Sequence, residues 1–326
     1  MKTYFQNGTM KDIPDFLDES VCFFVQELEN PRVERYMYTG DNIKYDIDAE
    51  LVNLYDKFRD LFFSDTKAYY DELELLPLFV QTAGIDSDCC LSSKQFVELS
   101  SEFYKGMPNL YKHIYLNDCQ FLVATIQNLL EAMSDCLCDF YVCLSDIELL
   151  HGSSFDNTIV TLSSSQSSHL CFLVETYFTK AYSIMDIFCK IAYEFENPMT
   201  DFSKCKKMNC ANILWGDRKH LKINKQANTI FADIALTKMI ESIRNEVVHN
   251  GTWEIHPKTF ISIQNGEITE RFVLFPDFEQ DRLATVKNRK HFFSNETKVN
   301  DILPKIHKEF MGLVLNTTKY INGLKL

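Results

Sequence analysis

Arg244-Asn245-Glu246-Val247-Val248-His249, followed at once by Asn250-Gly251, sets a fixed cation, a short amide and an imidazole at the end of a helical pattern. Upstream, Ile230, Ile234, Leu236, Ile240 and Ile243 recur at helical spacing, and Asn228 or Thr229 can cap the start. The spacing therefore predicts a helix from about Asn228 to His249, with Asn250-Gly251 as its stop. Arg neutralises phosphate at any ordinary pH, and His moves protons near neutrality. These are the side chains that metal-free cleavage of RNA requires.

Working outward, the same periodicity recurs. Leu122, Leu129, Leu130, Met133, Leu137, Phe140, Tyr141 and Leu144 give a broad apolar face on a helix predicted from about Leu116 to Leu150. Gly152-Ser153-Ser154 ends it. The Ser-rich passage through Ser168 is either a domain boundary or a loop between antiparallel helices. A second long helix, about Ser168 to Glu196, stops before Asn197-Pro198, because the residue preceding Pro disfavours helical geometry. The first 110 residues read as several short helices; Leu51, Leu54, Tyr55, Phe58, Leu61 and Phe62 mark one of them.

After the motif the period changes. Thr259-Phe260-Ile261-Ser262-Ile263-Gln264, the turn Asn265-Gly266 and a return run from Glu267 to Leu274 form a strong hairpin signal. A last helix, about Ile302 to Tyr320, carries Ile306, Phe310, Leu313 and Val314, and Pro304 fits it only within the first turn. The expected fold is all-α, an antiparallel helical bundle with a β-hairpin insertion near the C-terminus.

Composition divides the chain. Its 326 residues carry a net charge of −13, yet the residues from Asp201 onward hold 20 Lys and Arg against 14 Asp and Glu. The first 200 are correspondingly acidic. Two regions are expected: residues 1–150, acidic and helical with a regulatory or supporting role, and 151–326, carrying the motif. The helix at 116–150 is assignable to either. Lys204, Lys206, Lys207, Arg218, Lys219 and Lys222 approach the motif helix, and Lys287, Arg289 and Lys290 follow it. Such clusters can track a phosphate backbone, or simply be solvated loops. No apolar run reads as a membrane span and the first residues lack a secretion signal, so a cytoplasmic protein is expected. The 11 cysteines, Cys136, Cys143 and Cys189 among them, read as reduced thiols rather than a disulfide framework. Cys205, Cys210 and His220 match no common zinc spacing and there is no HExxH, so neither metal nor cofactor is expected.

The sequence Arg, polar residue, three residues, His, then a helix stop resembles the signature of the HEPN superfamily, specifically at Arg244, Asn245 and His249. The likeness covers the region from Leu116 or Ser168 to the C-terminus and is closest to bacterial toxin and phage-defence types. It implies a metal-independent RNA endonuclease that works as a homodimer through paired motif helices, with a regulatory protein or antitoxin as a further partner. His249 would take the ribose 2′-hydroxyl proton, Arg244 would stabilise charge on the phosphate, and Asn245 would orient either. The alternative is a non-catalytic module binding RNA, nucleotide or a protein partner. Arg244 and His249 lie about 140° apart around an ideal helix, so they do not converge by spacing alone. Either the Arg reaches round, the helix loosens at its end, or a second subunit completes the site. Glu246 reads as solvent-facing, Asp186 as a candidate supporting group from a facing helix, and Glu241 as an ion-pair partner for Arg244 in a purely structural reading. His256 and His291 are further neighbours on which nothing is staked.

Overall fold

The computed structural model describes residues 2–12, 22–25, 36–38, 43–149 and 157–325. The protein is predominantly helical, but it is not all-α. Among the described residues, nine strands form three small antiparallel sheets. The chain divides into two compact units, each built from three separate segments: Met1–Asp46, Asn128–Ile184 and Ala227–Asn316 in one, Ile47–Gln127, Met185–Gln226 and Thr317–Leu326 in the other. This division does not coincide with the cut at residue 150 drawn from the sequence. Gly152-Ser153-Ser154 lies outside the described residues.

In the first unit, β1 (Lys2–Phe5), β2 (Met10–Asp12), β3 (Cys22–Val25) and β4 (Tyr36–Tyr38) pair in the order β2-β1-β3-β4. These strands replace the short helices expected at the start. β5 (Thr158–Leu162) lies in the Ser-rich passage and pairs with β6 (Thr259–Gln264), which pairs in turn with β7 (Glu267–Phe272). The hairpin expected at 259–274 is thus two strands of a three-stranded sheet. Asn265 and Gly266 both take positive φ, 53° and 78°, as a two-residue turn matched to strand twist requires. Thr259, Ile261 and Ile263 alternate into the core. A short pair, β8 (Phe278–Glu279) and β9 (Arg282–Leu283), completes the sheets.

Gly8 shows how tightly the N-terminal turn is held. Its φ is +69°, and a Cβ there would come within 2.8 Å of Arg271 backbone and side-chain atoms. Arg271 donates to the carbonyls of Gly8 and Ile147, each at 2.8 Å. Burial pulls its guanidinium below the ordinary value, against the opposing pull of Asp146 and Glu148.

Four α-helices, α1 (Ile43–Phe62), α5 (Leu110–Ser145), α6 (Ser165–Glu196) and α8 (Val299–Gly323), contribute residues to both units. α5 starts six residues earlier than expected and ends five earlier. It is also long and apolar enough, by length and composition, to cross a membrane, contrary to the sequence expectation. Its buried residues Leu122, Val123, Ile126, Leu130, Met133 and Leu137 recur at helical spacing, as in a core helix. Pro304 does not lie in the first turn of α8; it is the sixth residue. A proline there leaves the carbonyl four residues back without its helical donor. That carbonyl belongs to Asn300, and the buried Tyr141 hydroxyl donates to it.

The second unit holds α2 (Thr66–Leu73), capped by the Asp65 carboxylate, the short α3 (Phe79–Thr82), and α4 (Ser93–Tyr104), opened by a Ser92–Gln95 capping box. Val80, Leu110, Tyr111 and Ile114 form a core cluster here, flanked by Phe79, Phe96 and Phe202. Buried Lys57 donates to the carbonyls of Ile321 and Asn322 at 2.8 Å, and to that of Leu324, closing the end of α8 with a cation. The connection after α6 is largely irregular, and α6 carboxylates hold it. Asp186 accepts from the Trp215 backbone at 2.6 Å, Glu194 from that of Cys210 and Glu196 from that of Lys222, both at 2.8 Å.

Candidate functional site

The motif lies on α7, Ala235–Asn250. The helix begins seven residues later than expected. Asn228 adopts a left-handed φ of 60°, and the Thr229 hydroxyl accepts the Phe231 N–H, so Ile230 and Phe231 are buried in a turn. From Ala235 onward Leu236, Ile240 and Ile243 form the buried stripe. Burying an isoleucine fully is worth about 1.5–3 kcal/mol relative to exposure. The stop falls at Gly251, whose φ of 93° turns its N–H back to the Val247 carbonyl at 3.0 Å.

One face of α6 fixes this helix end. Cys171, Glu175, Phe178 and Tyr182 follow one another at spacings of three or four, so they share a face. The Glu175 carboxylate accepts from the Thr252 hydroxyl and the Trp253 backbone, and the Cys171 carbonyl accepts the Trp253 indole N–H at 3.2 Å. Trp253 is fully buried. Tyr182, at the far end of this row, carries the Arg244 guanidinium 4.5 Å above its ring.

Arg244 also donates from Nη1 to the Asn245 side-chain Oδ1 at 3.0 Å. Asn245 and His249 line a cleft of about 530 Å³, together with Lys238, Glu241, Ser242, Arg282 and Lys290; Arg244 does not line it. α7 stays helical through Asn250, so the first two routes to convergence are closed in this structure. The Arg does not reach round and the helix does not loosen. His249 is exposed, and its imidazole makes no hydrogen bond or ion pair among the described residues. The cleft cations are partly neutralised. Lys238 bridges Asp233 at 3.0 Å and Asp281 at 3.3 Å, which holds its ammonium above the ordinary value, the Asp233 hydrogen bond contributing most. Arg282 stands exposed, without an ion pair among the described residues.

Glu246 is not solvent-facing. It is buried, with its side chain 9% exposed, and binds Lys290 at 2.7 Å, with His291 Nε2 4.0 Å from its other oxygen. The signal was present in the sequence, since Glu246 follows Ile243 by three positions and so lies near the buried stripe. Glu246, Asn250 and Lys290 form the wall to a second cavity of about 600 Å³, which His256, Arg289 and His291 also line. The two histidines reach it from separate loops.

A two-residue turn presents the later basic cluster. Val286 and Arg289 exchange backbone hydrogen bonds of 2.9 and 3.0 Å across Lys287 and Asn288. Lys287 projects at the exposed tip, Arg289 lines the second cavity, and Lys290 lines both. Asp277 anchors the far side of the loop. Burial pushes its carboxyl up, but hydrogen bonds from Ser294 and Asn295 outweigh that and hold it below the ordinary range. β9 is tied to α7 through the Leu283 N–H and the Ser242 hydroxyl, 3.1 Å apart.

The earlier basic cluster belongs to the other unit. Lys206 pairs with Asp201 at 2.5 Å, and Arg218 stacks 4.2 Å over Trp215 while donating to its carbonyl. Lys204, Lys207, Lys219 and Lys222 are exposed. Asp186 also lies in that unit, where it anchors the 3₁₀ turn Trp215–His220 rather than serving the motif. Cys210 is buried, its thiol pushed up first by burial and then by Glu194, while Cys205 is exposed. Among the described residues no group of three or more His, Cys, Asp or Glu side chains could hold a metal ion. No family model, curated protein or solved structure matches the chain.

Proposed function

We propose that the protein is a metal-independent RNA endonuclease of the HEPN type, acting as a toxin or antiviral defence effector in the cytoplasm. On this reading the C-terminal helices and the hairpin make up the helical bundle of that superfamily. One observation carries the reading: His249 is exposed at the closed end of α7 and shares a cleft wall with Asn245 and Lys290. The imidazole takes the proton from a ribose 2′-hydroxyl, which attacks the neighbouring phosphorus and forms a 2′,3′-cyclic phosphate. The departing 5′-oxygen takes a proton from water or from a second His249. Arg244 stabilises the negative charge that builds on the phosphate, and a second copy of the chain brings that Arg to the His. Lys287, Arg289 and Lys290 supply further contacts to the strand. Neither metal nor cofactor takes part in this scheme.

The seating of Arg244 on Tyr182, away from His249 within one chain, favours a second reading, a non-catalytic module that binds RNA, nucleotide or a protein partner. Incubating wild type and His249→Ala with single-stranded and structured RNA in EDTA, followed by end-group analysis, separates the two. EDTA-resistant cleavage leaving 2′,3′-cyclic phosphate in the wild type alone is the expected result. Equal cleavage by His249→Ala sinks the site. Salt-sensitive binding by a wild type that never cleaves favours the module.

A further inference from the structure

The larger cavity has features that strand cleavage at His249 does not use. It encloses about 600 Å³, within the range of about 300–1,000 Å³ typical of small-molecule sites. Phe260, Val273, Leu274 and Phe293 make part of its wall apolar, and Lys258 and Arg289 stand exposed at its rim. Glu246, Lys290 and His291 supply buried and half-buried polar groups.

One of these groups lacks a hydrogen-bond partner. His291 Nε2 is shielded from solvent and has no hydrogen-bond partner. The nearest Glu246 oxygen is 4.0 Å from it, too far for a hydrogen bond, while the other Glu246 oxygen is held by Lys290. Buried polar atoms are paired as a rule, so the unpaired ring nitrogen, 4.0 Å from a nine-tenths-buried carboxylate, leaves this wall of the cavity one polar partner short.

We infer that this cavity is a nucleotide subsite selective for guanine. The inference rests on the ribonuclease reading for the strand that delivers the base, and it deepens that reading by naming what the site prefers. An ionised carboxylate only accepts, so Glu246 selects a base edge that donates. Guanine places two adjacent N–H donors, N1 and the 2-amino group, beside an acceptor, O6. The first two meet the carboxylate, and the third meets the Lys290 ammonium. Adenine and cytosine set an acceptor next to a single amino group, and uracil flanks its one N–H with two carbonyls. Phe260 and Phe293 offer apolar faces to the base, and Lys258 and Arg289 meet the phosphate as charge-assisted donors.

Calorimetric titration of the full chain with GMP, AMP, CMP, UMP, guanosine and inorganic phosphate tests this. GMP should bind at least about tenfold more tightly than the other nucleotides or phosphate, the discrimination expected of one good paired contact. Glu246→Gln should abolish the preference. Arg289→Ala, on the exposed rim, should weaken GMP and leave guanosine unchanged. Equal affinities for the four nucleotides, phosphate binding as tightly as GMP, or a preference surviving in Glu246→Gln would each overturn the subsite. A wild type that prefers GMP but leaves RNA intact upholds the subsite and removes the nuclease. Cleavage without base preference, and without GMP binding, does the reverse.

Discussion

Replacing Arg244 by alanine separates a structural from a chemical role, because the two predict losses of different size. Structurally, the substitution removes a cation–π contact at 4.5 Å and one hydrogen bond to Asn245 at 3.0 Å. Such a contact is worth about 0.5–2 kcal/mol and such a bond about 1 kcal/mol or somewhat more, so stability should fall by roughly 1–3 kcal/mol. A protein of ordinary stability, about 5–15 kcal/mol, stays almost wholly folded after that loss. Any rate loss beyond about threefold therefore cannot come from unfolding. A group that stabilises transition-state charge instead costs about 10²–10³ in rate when it is removed. Urea denaturation and RNA cleavage in EDTA, measured on the same preparation, should show a lowered midpoint with unchanged slope and a rate down by at least about a hundredfold. Arg244→Lys keeps the charge but loses the planar fork and the stack, and should fall between. A rate within threefold of wild type beside the lowered midpoint would make Arg244 a strut for α7 and refute its part in the chemistry.

Other consequences follow from the fold. Lys57→Met keeps the aliphatic stem but strips three carbonyls at the end of α8 of their donor; stability should fall by about 2–4 kcal/mol in urea, and a loss under about 1 kcal/mol would discount the cap. Burial pushes the Asp118 carboxyl up to about 6. Its folded value thus exceeds its unfolded one, so the associated stability is present at low pH and is lost as pH rises through about 6. Asp118→Asn should therefore raise Tm at pH 8 by an amount equivalent to about 1–3 kcal/mol and change little at pH 3.5; a gain at the lower pH alone would reverse the sign and the argument.

What could be read in the sequence was local. The end of α7 is written in Asn250-Gly251 and the β6–β7 turn in Asn265-Gly266, because positive φ favours few residue types. The long helices show because apolar positions repeat many times along them. The start of α7 was misread because Ile230 and Phe231 continue the apolar pattern, yet they are buried by a turn in which Asn228 is left-handed. β1 to β4 have three or four residues each, too few to show a period. β5 is five residues beside a serine run, and only its pairing with β6 makes it a strand. Glu246 could have been placed from its offset to Ile243. His256 and His291 could not, because the cavity they share is made by packing between loops far apart in sequence.

The last consequence concerns the five-residue offset itself. On a continuous helix Arg244 and His249 diverge by about 140°, and the Gly251 N–H bonded back to Val247 keeps α7 continuous to its end. Tyr182 and Asn245 hold the guanidinium away from the cleft that His249 lines. If the site cleaves RNA, the Arg of one copy meets the His of another. A two-fold dimer then has two such sites, each drawing one residue from each chain. Mixing inactive Arg244→Ala with inactive His249→Ala, after subunit exchange, should form mixed dimers in about half of the assemblies, each with one intact and one doubly defective site. About a quarter of wild-type activity should return, provided that water protonates the leaving oxygen. Recovery of that size fixes the two residues in different chains. No recovery, with mixed dimers verified by mass, would mean either that both histidines act on one phosphate or that Arg and His must come from the same chain. His249→Ala mixed with wild type distinguishes these: its mixed dimers hold a single histidine, so they are inactive in the first case and keep about half of wild-type activity in the second, where the wild-type chain carries an intact pair.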